Sequence, residues 1–157
     1  MAQTIRTGGL NVSKVLRFQD FTWAGVPAHP YKKETHTWKE VARHWLIGDG
    51  GETTRFHVRY FEVAPGGFTT LEVHRHEHVV IPLRGRGEVL LGTESHPLAF
   101  GDCVYVAPSH VHQFRNRDAG EPFGFLCIVN AERDPAKPYR RPAGAADDAA
   151  CDAPAAD

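Results

Sequence analysis

Short apolar runs rich in Val, Ile, Phe and Tyr follow one another through the middle of the chain, over residues 56–63, 68–74, 78–83, 88–91, 103–106, 111–114 and 123–129. Such residues favour a pleated backbone, and the intervening APGG, RGRG, FGD and DAGEP segments have the composition of turns. No helical periodicity separates the runs. Seven closely spaced strands of this kind predict an all-β fold, a sandwich or barrel. Pro82 lies inside one run and has no amide hydrogen to give to a ladder, so it predicts a bulge or an edge there.

The first 50 residues carry weaker signals. LNVSKVLRF predicts a strand and GVPAHPYKKE a loop. THTWKEVARHWLIGDGG reads as an extended segment or a short helix ending at glycine, with Trp38 and Trp45 seven apart as one helical face would place them. The expected organisation is an arm over residues 1–50 that covers the barrel or pairs with a second subunit, a β-barrel over 51–135, and a tail over 136–157. Trp38, Trp45 and LNVSKVLRF supply more apolar surface than one small barrel needs, which predicts a homodimer. The tail is rich in Pro, Ala, Gly and Asp and has little to bury, so it is expected to be flexible.

A length of 157 residues suits one domain with a substantial core. Lys and Arg number 18 against 19 Asp and Glu, a net charge of -1, which gives no basic footprint for nucleic acid. No apolar run approaches the roughly 20 residues that span a bilayer, and the start MAQTIRTGG lacks a signal-peptide core. No membrane role and a cytoplasmic location are therefore expected. Cys103, Cys127 and Cys151 form no CxxC pair. The first two lie in strand-like runs and are expected to be buried thiols, while Cys151 falls in the tail. No P-loop or GxSxG motif is present.

The densest chemistry lies in GGFTTLEVHRHEHVVIPLRG, residues 66–85, where Glu72, His74, His76 and His78 fall within seven positions. His110 and His112 follow in VAPSHVHQFRN. Imidazole is the commonest protein ligand for transition metals, and carboxylate is its usual partner in oxygen-using sites. In a strand, side chains two apart point the same way with Cα atoms about 6.6 Å apart, and those four apart are separated by about 13 Å, too far to share an ion. The chain must therefore reverse between His74 and His78, with Glu72 and His74 on one strand and His78 opening the next. His76 falls in the turn, as a plain turn residue, a hydrogen-bond donor near the site, or a ligand in place of Glu72. Phe68, Thr70 and Phe114 share strand parity with these positions and are expected to line the interior. His110 shares parity with His112, at the pocket mouth or exposed in a loop. His29, His36, His44, His57 and His96 lack a spaced partner and read as structural or surface residues.

These residues resemble the two motifs of the cupin family. The first motif runs Gly, five residues, His, one residue, His, three or four residues, Glu, six residues, Gly, and Gly66, Glu72, His74, His78 and Gly85 occupy its fixed positions without a gap. Gly101, Pro108, His112 and Asn116 are similar to the second. Together the motifs cover about residues 58–130. Glu72 stands where the family usually has its first histidine, and His78 where it has its glutamate. The donor set is kept while the anionic ligand changes sides. His110 stands near the place of a usual glycine, and the interval from Gly101 to Pro108 is one residue longer than common.

The resemblance implies a single-domain cupin, a double-stranded β-helix or jelly-roll barrel, holding one divalent transition metal per chain (Fe, Mn, Ni, Zn or Cu) through Glu72, His74, His78 and His112. It implies a metalloenzyme acting on a small organic molecule, an anionic or chelating one, with dioxygenase-type oxidoreductase chemistry. Its rivals are a redox-neutral metal-dependent isomerase or lyase, and a non-catalytic small-molecule or metal sensor. No residue outside the metal set has the spacing of a general acid or base. The family also points to paired subunits.

Overall fold

A computed structural model describes residues 11–143. The expectations for Leu10, Cys151 and most of the tail concern residues outside that range. Two short strands, β1 (Phe18–Gln19) and β2 (Thr22–Trp23), form a hairpin of their own. The other strands form one antiparallel sheet: β3 (Ala28–Pro30), β4 (Lys39–Ile47), β5 (Phe56–Phe68), β6 (Glu72–Val73), β7 (His78–Arg84), β8 (Gly87–Leu91), β9 (Glu94–Leu98), β10 (Val104–Val106), β11 (His112–Arg115), β12 (Phe123–Asn130) and β13 (Lys137–Pro138). The sheet curls into a half-barrel, as the strand pattern predicts. Among the described residues, no helix is long and apolar enough to cross a membrane.

One wall runs β3, β4, β5, β12, β7, β10, and the other β9, β8, β11, β6, β13. Strand β5 joins them. The APGG segment, expected as a turn, stays within this 13-residue strand and bends it at Gly66, whose φ of 74° suits a residue without Cβ. Beyond the bend, Phe68 pairs with Arg115 of β11. Residues 69–71 then leave the ladder, so the strand expected over 68–74 reduces to β6.

Period-two alternation along β12 sends Phe123, Phe125, Cys127 and Val129 inward, each nearly devoid of solvent contact. The ring of Phe125 meets Phe114 of the opposite wall with centroids 4.8 Å apart. Burying each such ring contributes roughly 1.5–3 kcal/mol. Pro82 marks a bulge, as expected: the β7–β12 register shifts between Gly124 and Phe125, opposite Arg84 and Pro82.

Several segments differ from the sequence pattern, and in LNVSKVLRF, expected as a strand, residues 11–17 are not strand and only Phe18 pairs, in β1. THTWKEVARHWLIGDGG takes the extended alternative, with residues 39–47 forming the nine-residue strand β4 along β5. Trp38, just before β4, packs against Tyr31 and the core, whereas Trp45 shares strand parity with Val41 and Arg43 and has the Arg43 guanidinium over its ring. Strand β9 escapes the pattern because only Leu98 of its five residues is buried. Part of GVPAHPYKKE pairs with β4 as β3. Cys103 is exposed just before β10, whereas Cys127 is buried. At the other end, β13 docks on β6, and the Tyr139 amide donates to the Leu71 carbonyl at 2.8 Å.

Gly124 sits against Tyr60, and a Cβ there would collide with the phenol hydroxyl. Tyr60 is fully buried and bonded to Glu62 at 3.0 Å, so it has no room to retreat. Gly124→Ala should lower stability by about 1–3 kcal/mol. Denaturant melts of the two proteins check this, and equal midpoints would contradict the packing.

Candidate metal centre

The short β6 and the turn after it bring the histidines together. Glu72 lies in β6 opposite His112 of β11. His74 follows β6, His76 sits in the turn, and His78 opens β7. All five side chains are buried. Two overlapping triads result, Glu72, His74 and His112, and His74, His76 and His78. Within each, the ligand-type atoms lie within 4.8 Å of one another.

The tautomers follow from the partners. Nδ1 of His74 donates to the His76 carbonyl at 2.8 Å, and Nδ1 of His112 donates to the His110 carbonyl at 2.9 Å. A carbonyl can only accept, so each Nδ1 carries the hydrogen and each Nε2 keeps a bare lone pair. Those two Nε2 atoms face each other at 3.2 Å. His76 Nδ1 is 3.0 Å from Asp134 Oδ1, and its Nε2 is 3.2 Å from Nε2 of His78, whose own Nδ1 faces the Cys127 thiol at 3.6 Å. The facing lone pairs of His74 and His112 repel, and a cation between those two nitrogens removes the repulsion.

Burial also keeps the rings of His74, His78 and His112 neutral. It pushes His74 down to about 4, with help from His112 and His76, and it lowers His78 and His112 as well. Neutral imidazole is the form that ligates a metal. Asp134 is held well below the usual carboxylate range by the amide hydrogens of Arg75 and His76 and by the His76 ring. Glu72 contributes the negative charge. Its Oε1 lies 3.9 Å from His74 Nε2 and 3.8 Å from His112 Nε2, while its Oε2 is ion-paired with Lys32. Neutral imidazoles with one carboxylate fit a divalent transition ion.

The cluster forms one side of a cavity of about 450 Å³. His76 and Phe114 line it, whereas Phe68, Thr70 and His110 do not. Phe68 is half-buried where β5 ends, Thr70 is buried against the Thr37 hydroxyl at 3.0 Å, and His110 is exposed near Gly92. Thr69 lines the cavity instead, because parity counted back from Glu72 fails across residues 69–71, which are not strand.

The rest of the lining comes from residues that sequence motifs do not mark. Lys32 arrives from the arm, Arg43 from β4, His57 and Arg59 from β5, Cys127 from β12, and Arg133 and Asp134 from the segment after it. A signal for part of this set exists: His57, Arg59 and Phe61 alternate on one face of β5, so polar residues stand at inward positions of a core strand. Burial raises the Cys127 thiol above its ordinary range.

A half-barrel with imidazoles and a carboxylate gathered on its inner face defines a cupin, and the chain belongs to that family: the cupin domain model matches residues 59–129. Among its relatives is the 1-methylthio-D-xylulose 5-phosphate methylsulfurylase of Rhodospirillum rubrum, 44% identical over 115 residues, 73% of this chain and 72% of that protein. The crystal structure of a cupin-2 domain from Rhodospirillum rubrum matches with a TM-score of 0.70 and 38% identity, covering 81% of this chain and 84% of the other. A sugar phosphate isomerase of the cupin superfamily from Silicibacter pomeroyi matches with a TM-score of 0.53 and 26% identity, covering 58% and 59%.

If a cation relieves the facing lone pairs, divalent ions should raise the melting temperature. At a hundredfold excess over Kd the stabilisation is about 2.7 kcal/mol. His74 belongs to both triads, so His74→Ala should abolish the rise in a thermal scan with Mn²⁺ or Zn²⁺. A variant that responds like wild type would remove His74 from the site.

Proposed function

We propose that this chain is a metal-dependent enzyme of isomerase or lyase type acting on a small phosphorylated keto sugar. The observation that carries the reading is the convergence of bare imidazole nitrogens and one carboxylate at the wall of the cavity. Glu72, His74, His78 and His112 are the proposed ligands of one divalent transition ion. When bound, such an ion supplies Lewis-acid polarisation of a substrate oxygen.

His76 is the proposed general base. Asp134 holds the hydrogen on Nδ1, which leaves Nε2 with a lone pair for a proton on the carbon next to a carbonyl. Lys32 steadies Glu72 from the arm side and presents an ammonium to the same wall.

The substrate class draws on the relatives, a methylsulfurylase of a sugar phosphate and a sugar phosphate isomerase. Those two, together with the His76–Asp134 pair, favour redox-neutral proton transfer over the dioxygenase chemistry that the ligand types first suggest.

The test is deuterium exchange from D₂O into D-xylulose 5-phosphate or 1-methylthio-D-xylulose 5-phosphate, followed by NMR on metal-loaded protein. His76→Gln should keep one ion per chain and slow exchange by about 10²–10⁴-fold. Glu72→Ala should weaken metal binding. The assignment of roles fails if His76→Gln strips the ion while Glu72→Ala keeps it. The function fails if the metal-loaded wild type neither exchanges nor converts either compound.

A further inference from the structure

Away from the imidazoles, the cavity is cationic. Arg43, Arg59 and Arg133 place their guanidinium carbons 5.2, 5.6 and 5.9 Å from the centroid of one indole, that of Trp45. The register explains the gathering: Arg59 lies opposite Trp45 on β4 and opposite Cys127 on β12. Arg133 is anchored from the following segment by donating to the carbonyls of Asn130 and Ala131 and to His57 Nδ1 at 3.0 Å.

Three like charges in one half-buried cluster repel one another. Burial lowers Arg43 and Arg133 below their ordinary range, and the neighbouring arginines lower them further. His57 is lowered by burial, then by Arg133 and Arg59. Among the described residues, none of the three arginines is ion-paired with a carboxylate. The two acidic groups of the cavity are engaged elsewhere, Glu72 with Lys32 and Asp134 with His76. Nε of Arg43 and Nε of Arg59 are buried without a hydrogen-bond partner. Stacking on Trp45 neutralises no charge and satisfies no N–H. An anion with several acceptor oxygens does both.

We infer that Arg43, Arg59 and Arg133 form an anion subsite that holds the phosphate of a phosphomonoester substrate. One thiol separates this subsite from the candidate metal centre: Arg59 Nη2 is 3.3 Å from Cys127 Sγ, which is 3.6 Å from His78 Nδ1. A short phosphorylated sugar spans that gap, with its phosphate on the arginines and its oxygenated carbons at the imidazoles. The inference rests on the reading of this cavity as an enzyme site, and it assigns residues to the charged end of the substrate.

The probe is inorganic phosphate, titrated into the full-length protein at constant ionic strength with chloride as the balancing anion. The readouts are thermal shift and ³¹P line broadening, and bound metal is counted separately. Wild type should respond to phosphate whether metal-loaded or stripped. Arg133→Gln and Arg43→Gln should each weaken phosphate binding tenfold or more while keeping the metal content of wild type. His74→Ala, which removes an imidazole donor, should still bind phosphate. No response in wild type, or a response that survives both arginine substitutions, overturns the subsite and leaves the metal reading standing. A phosphate response lost only in His74→Ala places the anion on the ion and also overturns it. Loss of metal binding in wild type with the phosphate response intact overturns the proposed function and leaves the subsite standing.

Discussion

The arrangement depends on the corner that Asn116 ties. Its side-chain amide donates to the carbonyls of Val63 and Glu121 at 2.9 and 2.8 Å, and its Oδ1 accepts from the Asp118 amide at 2.9 Å. Its own amide donates to the Gly67 carbonyl, and its carbonyl accepts from the Gly66 amide, both at 3.0 Å. The Asn116 side chain is buried, and an unpaired amide there would cost roughly 1–3 kcal/mol. With the corner fixed, β5 belongs to both walls and Phe68 meets Arg115. That contact sets where β11 runs, and β11 sets Glu72 opposite His112.

From that frame the cavity acquires two electrically different ends. At one end, backbone carbonyls fix the tautomers of His74 and His112 and Asp134 fixes that of His76, so the Nε2 lone pairs of these three point into the cluster. At the other end, three guanidinium groups share one indole. Burial produces both effects by opposite routes. It keeps histidines neutral, because their charge would be lost at modest cost. It leaves arginines charged and strained, because a guanidinium does not give up its proton near neutral pH.

Much of this was legible in the chain. Short runs of Val, Ile, Phe and Tyr marked the core strands, and the spacing of Glu72, His74 and His78 forced the reversal that the turn at residues 75–76 makes. Asn116 stood out by its place in the second cupin motif. What stayed hidden depends on tertiary partners. KEVARHWLI becomes a strand because β5 is there to pair with it. Lys32, Arg43, Arg59 and Arg133 meet only when β4, β5, the arm and the segment after β12 share a cavity. Local patterns carry no information about which strands lie side by side. Residues 69–71 show the complementary failure, since strand parity holds only while the ladder is unbroken.

The exchange of carboxylate and imidazole relative to the usual cupin pattern acquires a physical sense in this setting. A carboxylate at position 72 faces Lys32, and the two charges satisfy each other. A carboxylate at position 78 would instead stand beside Cys127, within the field of Arg59, which already acts on the His78 ring. It would draw that guanidinium toward itself and spend a cation that the proposed anion subsite uses. Neutral His78 leaves Arg59 unpaired. Placing the single acidic donor on the lysine side therefore keeps a carboxylate from pairing with Arg59, although only one thiol stands between the candidate metal donors and the arginine cluster.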